Sequence, residues 1–149
     1  MKYRSDFVTN SSSSSFIVSF KDEQEKQAQK EWMIKYHPEY VNQVFSDIER
    51  HIMDYDAAMA YYEEHAYWMA RFEVLYGPEN RYHDYEWRKS KACEKMIKNR
   101  EKEILDEFKE KAKEHNIFAV VSYSDDINSE LEHYIMPFVP FVIETINNH

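Results

Sequence analysis

Five residues near the C-terminal end are the strongest candidates for chemistry: Asp125, Asp126, Glu130, Glu132 and His133. Carboxylates and imidazole are the donor types that hold divalent ions. Glu130 and His133 lie three positions apart, so on an α-helix both point the same way. Residues 117–149 hold five acids and no Lys or Arg, and acids crowded without a cation disfavour one another's ionised forms. The expected ligand set is Asp125, Asp126, Glu130 and His133, joined by His149 if the two ends of the chain converge. The implied cofactor is a divalent metal. The same residues also fit a plain strand-to-helix turn whose acids face solvent. A di-iron carboxylate bundle needs two Glu-x-x-His pairs, and the chain has one.

The second candidate is the run Ser11, Ser12, Ser13, Ser14 and Ser15, after Thr9-Asn10. Hydroxyls and backbone N–H groups ahead of a strand can hold a phosphate or peptide, or accept phosphorylation. A flexible linker has the same composition. With no glycine among the serines, this is neither a P-loop nor a dinucleotide loop. A third feature is the basic run Arg88, Lys89, Lys91, Lys95, Lys98, Arg100 and Lys102, with Tyr82, Tyr85 and Trp87 just before it. Nucleic acid is not an expected partner except through residues 88–102, where cations beside aromatics can grip a single strand. A solvated helix face is the alternative. A fourth is the aromatic belt Tyr61, Tyr62, Tyr67, Trp68, Phe72 and Tyr76. These rings cannot all share one helix face, so Tyr61, Trp68 and Tyr76 are expected to meet a protein partner. Cys93 falls on an apolar face and reads as core, not nucleophile. No residue is assigned a catalytic role.

The elements that must position these groups follow from hydrophobic period. Phe16 to Phe20 reads as a strand. Asp22 caps a helix that breaks at His37-Pro38. Val41, Val44, Phe45, Ile48 and Ile52 mark a second helix, and Ala58 to Phe72 a third that stops at Gly77-Pro78. A fourth is expected from Tyr82 to Glu114, with Asn116 as its left-handed cap. Residues 117–123 form the clearest strand, Ser129 caps a short helix, and 141–146 is a last strand. The expected fold is α+β and mostly helical. About four helices pack on a small sheet of about three short strands: N-terminal, 117–123 and C-terminal.

Composition bounds the rest. The 149 residues suit one domain, 1–149, with residues 1–15 a flexible serine-rich leader. No apolar run approaches the roughly 20 residues of a membrane helix, so no membrane partner is expected. The start lacks a secretory pattern and Cys93 is the only cysteine, so a cytoplasmic location is expected. The net charge of −9 weighs against general nucleic-acid affinity.

Residues Arg4 to Val18, in which Asp6-Phe7-Val8-Thr9-Asn10 runs into the serines and Phe16, resemble the N-terminal signature of a set of small proteins from Firmicutes-type bacteria and their mobile elements. Leu131-Glu132-His133 through Met136-Pro137, and His149, resemble the same set. The resemblance implies a bacterial or phage origin and an intracellular location. It carries no activity with it.

Three functions are therefore expected in turn. The first is a non-enzymatic intracellular module that binds a protein in a bacterial or mobile-element system. The second is a metal-dependent hydrolase or phosphoryl-handling enzyme built on the segment Asp125 to His133, with the serines holding phosphate. The third is an acidic phage-type inhibitor that imitates nucleic acid.

Overall fold

A computed structural model describes residues 13–147. About 63% of the described residues are helical, and among them lie six α-helices and one four-stranded antiparallel sheet. This is the α+β, mostly helical class read from the sequence. Backbone contacts divide the described residues into two compact units: residues 13–58 with 114–147, and residues 59–113.

The first unit is built on the sheet, in the order β2-β3-β1-β4. Strand β1 (Ser13–Phe20) lies between β3 (Ile117–Ser124) and β4 (Val142–Asn147), antiparallel to both. Seven of its eight residues are buried. A central strand covered on both faces needs no polar stripe, which explains the apolar run Phe16-Ile17-Val18. A register shift at Ile17/Val18 bends β1 against β4. Helix α1 (Glu23–Tyr36) starts where Asp22 accepts the Glu25 amide at 2.8 Å, as expected of a cap. Helix α2 (Val41–Arg50) buries Val41, Val44, Phe45 and Ile48. Phe20, Phe45 and Phe141 meet at ring-centre distances of 5.5–6.3 Å in the core.

Ile52, expected on α2, instead forms β2 (Ile52–Met53) opposite Ala119 and Phe118. Helix α2 ends at Arg50, and the amide of the capping His51 bonds the Ile48 carbonyl. Ile52 continues the period of α2, but its backbone finds an open edge of β3. At the far end of the chain's middle, Glu114 takes the left-handed turn (φ 67°) expected of Asn116. Asn116 instead ties its side chain to the Lys21 carbonyl at 3.1 Å.

The second unit holds most of α3 (Tyr55–Tyr76), α4 (Tyr85–Arg88) and α5 (Lys91–Lys111). The single helix expected from Tyr82 is interrupted at Ser90, whose hydroxyl accepts the Cys93 amide at 3.1 Å and starts α5 afresh. Tyr62 stacks on Phe108 at 4.5 Å, and Ala66, Ala70, Cys93, Ile97 and Ile104 of the same unit are also buried. Cys93 is core as expected, and burial pushes its thiol pKa up, away from reactivity. At Gly77, a Cβ would stand 2.5 Å from the Glu73 carbonyl oxygen, so close approach and not a positive φ explains the chain's one glycine.

Candidate metal centre

The site forms where β3 hands over to helix. Ser124 ends the strand and α6 (Asp125–Glu130) follows at once. Asn128 leaves helical geometry (φ −133°, ψ 50°), and the chain then takes a π-turn over Leu131–Ile135. The wide turn lets Leu131, Glu132 and Ile135 all face the interior. Leu131, Ile135 and Met136 are members of the first unit's core, and that apolar anchorage is what drives a charged neighbour inward.

Glu132 is the outcome: its side chain is 0% exposed. A buried carboxylate is costly unless it is paired and hydrogen-bonded. Its Oε2 accepts from the Ser14 hydroxyl at 2.8 Å, and its Oε1 lies 3.2 Å from His133 Nε2. The same Nε2 contacts Asp125 Oδ1. One donor atom each from Asp125, Glu132 and His133 falls within 4.8 Å of the others. One imidazole nitrogen carries at most one proton, so the two carboxylates can only share it. The three donor atoms are close enough together to share one divalent cation. Asp125 and His133 keep 37% and 42% of their side chains exposed, so the cluster has a closed side at Glu132 and an open side toward solvent.

Ser14 reaches this point through the sheet. It sits opposite Tyr123 on β3 and Asn147 on β4, at the end of β1 where β3 leaves for α6. Its Oγ also lies 2.9 Å from the Asn147 side-chain oxygen position. A hydroxyl has one proton to give. With that proton on Glu132, the Asn147 amide presents its nitrogen to Ser14, and the three side chains form one directed chain.

The structure thus joins the two segments singled out in the sequence, but through different residues. Asp125 and His133 converge as expected. Glu130 does not join them: it accepts from the Tyr40 hydroxyl, because the kink at Asn128 and the π-turn break the three-residue spacing of an α-helix. Asp126 is exposed and outside the cluster. His149, Ser11 and Ser12 lie outside the described residues. Ser13, Ser14 and Ser15 belong to β1, and Ser14 and Ser15 are each 4% exposed, so these three are strand residues and not an open phosphate loop. Ser15 bonds Ser122 across the strands at 2.8 Å. Tyr61 is half-buried against His65, while Trp68 and Tyr76 are exposed.

Glu132 is the member of the cluster that the three-residue spacing missed. The signal was present: Leu131 and Ile135 define the inward face, and position 132 borders it. No family model, curated protein or solved structure matches the chain. No helix among the described residues is long and apolar enough to cross a membrane.

Proposed function

We propose that the protein holds a divalent transition-metal ion through Asp125, Glu132 and His133, and acts on its ligand or substrate at the ion's outward positions. The observation that supports this is the buried Glu132 carboxylate, held by Ser14 and aimed at a histidine and a second carboxylate. A mixed oxygen and imidazole donor set fits Mn²⁺, Fe²⁺ or Zn²⁺ better than Mg²⁺ or Ca²⁺, which favour oxygen alone. Three protein ligands with an open side match the pattern of sites that keep a position for water. The fitting reaction class is metal-assisted hydrolysis, in which the ion lowers the pKa of a bound water. Phosphoryl handling has less support. The Ser14 hydroxyl is committed to Glu132, and residues 117–149 supply no Lys or Arg for a phosphate. The protein-binding module, first among the sequence expectations, draws its support from the exposed aromatics of α3 and not from this cluster.

The test is metal analysis of untagged protein, with thermal-shift titrations of Zn²⁺, Mn²⁺, Mg²⁺ and Ca²⁺. Binding at 100 times Kd stabilises the fold by about 2.7 kcal/mol. His133→Ala should abolish the shift and Glu130→Gln should keep it. Protein that retains no metal and shows no shift with Zn²⁺ or Mn²⁺ would sink the proposal.

A further inference from the structure

We infer that the second unit carries a separate binding surface for single-stranded nucleic acid, formed where the exposed face of α5 meets the aromatic face of α3. Lys91, Lys95, Lys98 and Lys102 recur at helical spacing, opposite the buried Cys93, Ile97, Ile104 and Phe108. They form one positive stripe along α5. The stripe comes near the aromatic face at one point, where Lys98 Nζ lies 5.9 Å from the Tyr67 ring centre. Tyr67 meets Trp68 edge-on at 5.2 Å, and the Arg71 guanidinium stands 5.8 Å over Trp68.

A second alternation of ring and cation follows in the same unit. Phe72 packs on Tyr76 at 4.8 Å and Tyr76 stacks on Tyr82 at 4.7 Å. Arg88 covers Tyr82 at 4.4 Å and Tyr85 at 4.8 Å. Trp68, Phe72 and Tyr85 are 63%, 64% and 60% exposed. Large exposed rings in a row mark an interaction surface. Their interleaving with Arg and Lys selects the occupant. Bases stack on rings while cations meet phosphates, and only a single strand offers both along one face. From Trp68 to Tyr76 the helix rises about 12 Å, room for a few nucleotides.

Charge is distributed to match. Residues 59–113 carry 12 basic and 12 acidic side chains, and the remainder of the chain carries 7 and 16. Several acids of this unit are already engaged. Glu73, Glu103 and Glu107 surround Arg100, and Asp106 pairs with Lys102. Lys91 and Lys95 are exposed and, among the described residues, make no ion pair. Glu94, which accepts from the Tyr67 hydroxyl at 3.3 Å, is the acid at the edge of the surface and weakens the field there.

The experiment is fluorescence anisotropy of the full chain with labelled 12-nucleotide dT and rU strands and a 12-base-pair duplex, at 50 and 200 mM NaCl. Neutralising three phosphates predicts about a 20-fold loss of single-strand affinity between those salts. Trp68→Ala and Phe72→Ala should each weaken binding at least fivefold with unchanged melting, since both rings are exposed. The double variant Lys91→Glu, Lys95→Glu should flatten the salt dependence. Preference between dT and rU assigns DNA or RNA. No single-strand binding at 50 mM NaCl overturns the inference. So does a duplex bound as tightly, or Trp68-dependent self-association in sedimentation, which would make the face a contact between copies. None of these outcomes depends on metal at Glu132.

Discussion

Replacing Glu132 with Gln should stabilise the metal-free protein while destroying its metal affinity. The substitution keeps shape and keeps an oxygen for the Ser14 hydroxyl, which now sits 2.8 Å from Oε2. It removes one of two carboxylates whose donor atoms lie within 4.8 Å. Two unit charges at that separation repel by about 3.5 kcal/mol at an effective dielectric of about 20. Asp125 is 37% exposed, so solvent screening reduces that figure to roughly 1–2 kcal/mol. For a chain of this size, about 1 kcal/mol moves the melting temperature by roughly 2–4 °C. In chelator, Glu132→Gln should therefore melt a few degrees higher than the native chain. In Zn²⁺ or Mn²⁺ the order should reverse, because the variant loses an anionic ligand. A residue that costs the empty fold stability is one kept for something else. A variant that melts lower in chelator and still binds metal would show Glu132 to be a structural partner of His133, and the metal argument would fail.

Ser14→Ala leaves the Glu132 Oε2 without its hydroxyl donor and should weaken metal affinity about 10- to 100-fold. Ser15→Ala removes the bond to Ser122 and should leave metal affinity unchanged; competition with a metal indicator measures both. Tyr123 donates to Asp47 at 2.9 Å, and burial, then that bond, push its pKa up. The neutral phenol contributes its full stability below the unfolded value of about 10. Above that pH the unfolded phenol ionises first, so stability falls as pH rises, and Tyr123→Phe should flatten the decline in denaturant titrations from pH 8 to 11. Gly77→Ala forces a methyl to within 2.5 Å of the Glu73 carbonyl and should cost about 1–3 kcal/mol, whereas Pro78→Ala meets no such contact; melting curves separate the two.

Strands and helices with a strong period were legible in the sequence. Phe16 to Phe20 and residues 117–123 lacked a polar stripe because β1 and β3 lie in the middle of the sheet. Asp22 could be read as a cap from type alone, whereas the continuous period of residues 82–114 hid the break that Ser90 makes. The misplaced elements have one cause. Ile52 keeps the helical period of α2 yet pairs with Ala119, because edge pairing is a tertiary gain that local pattern does not encode. The candidate site was half legible for the same reason. Asp125 and His133 followed from residue type. Glu132 required knowing that the turn is π and not α, and that choice is made by Leu131, Ile135 and Met136 finding the core.

The serine run shows how low complexity conceals separate tasks. Successive residues of a strand point to opposite faces. Ser14 and Ser15 are therefore one face apart, although nothing in their chemistry distinguishes them. Ser15 stands opposite Ser122 in register, and the two hydroxyls close a cross-strand bond. Ser14 faces the other way and meets Glu132, with Asn147 behind it. A buried strand end that must satisfy a carboxylate on one face and a hydroxyl on the other needs small donors at both positions. An alanine would remove the hydroxyl from which Oε2 accepts, and a larger polar side chain would not fit where exposure is 4%. The pleat alone assigns the roles. Shifting β1 by one residue would send Ser15 toward Glu132, but it would also turn Phe16 and Val18 out of the core, so the apolar half of the strand holds the serine half in register.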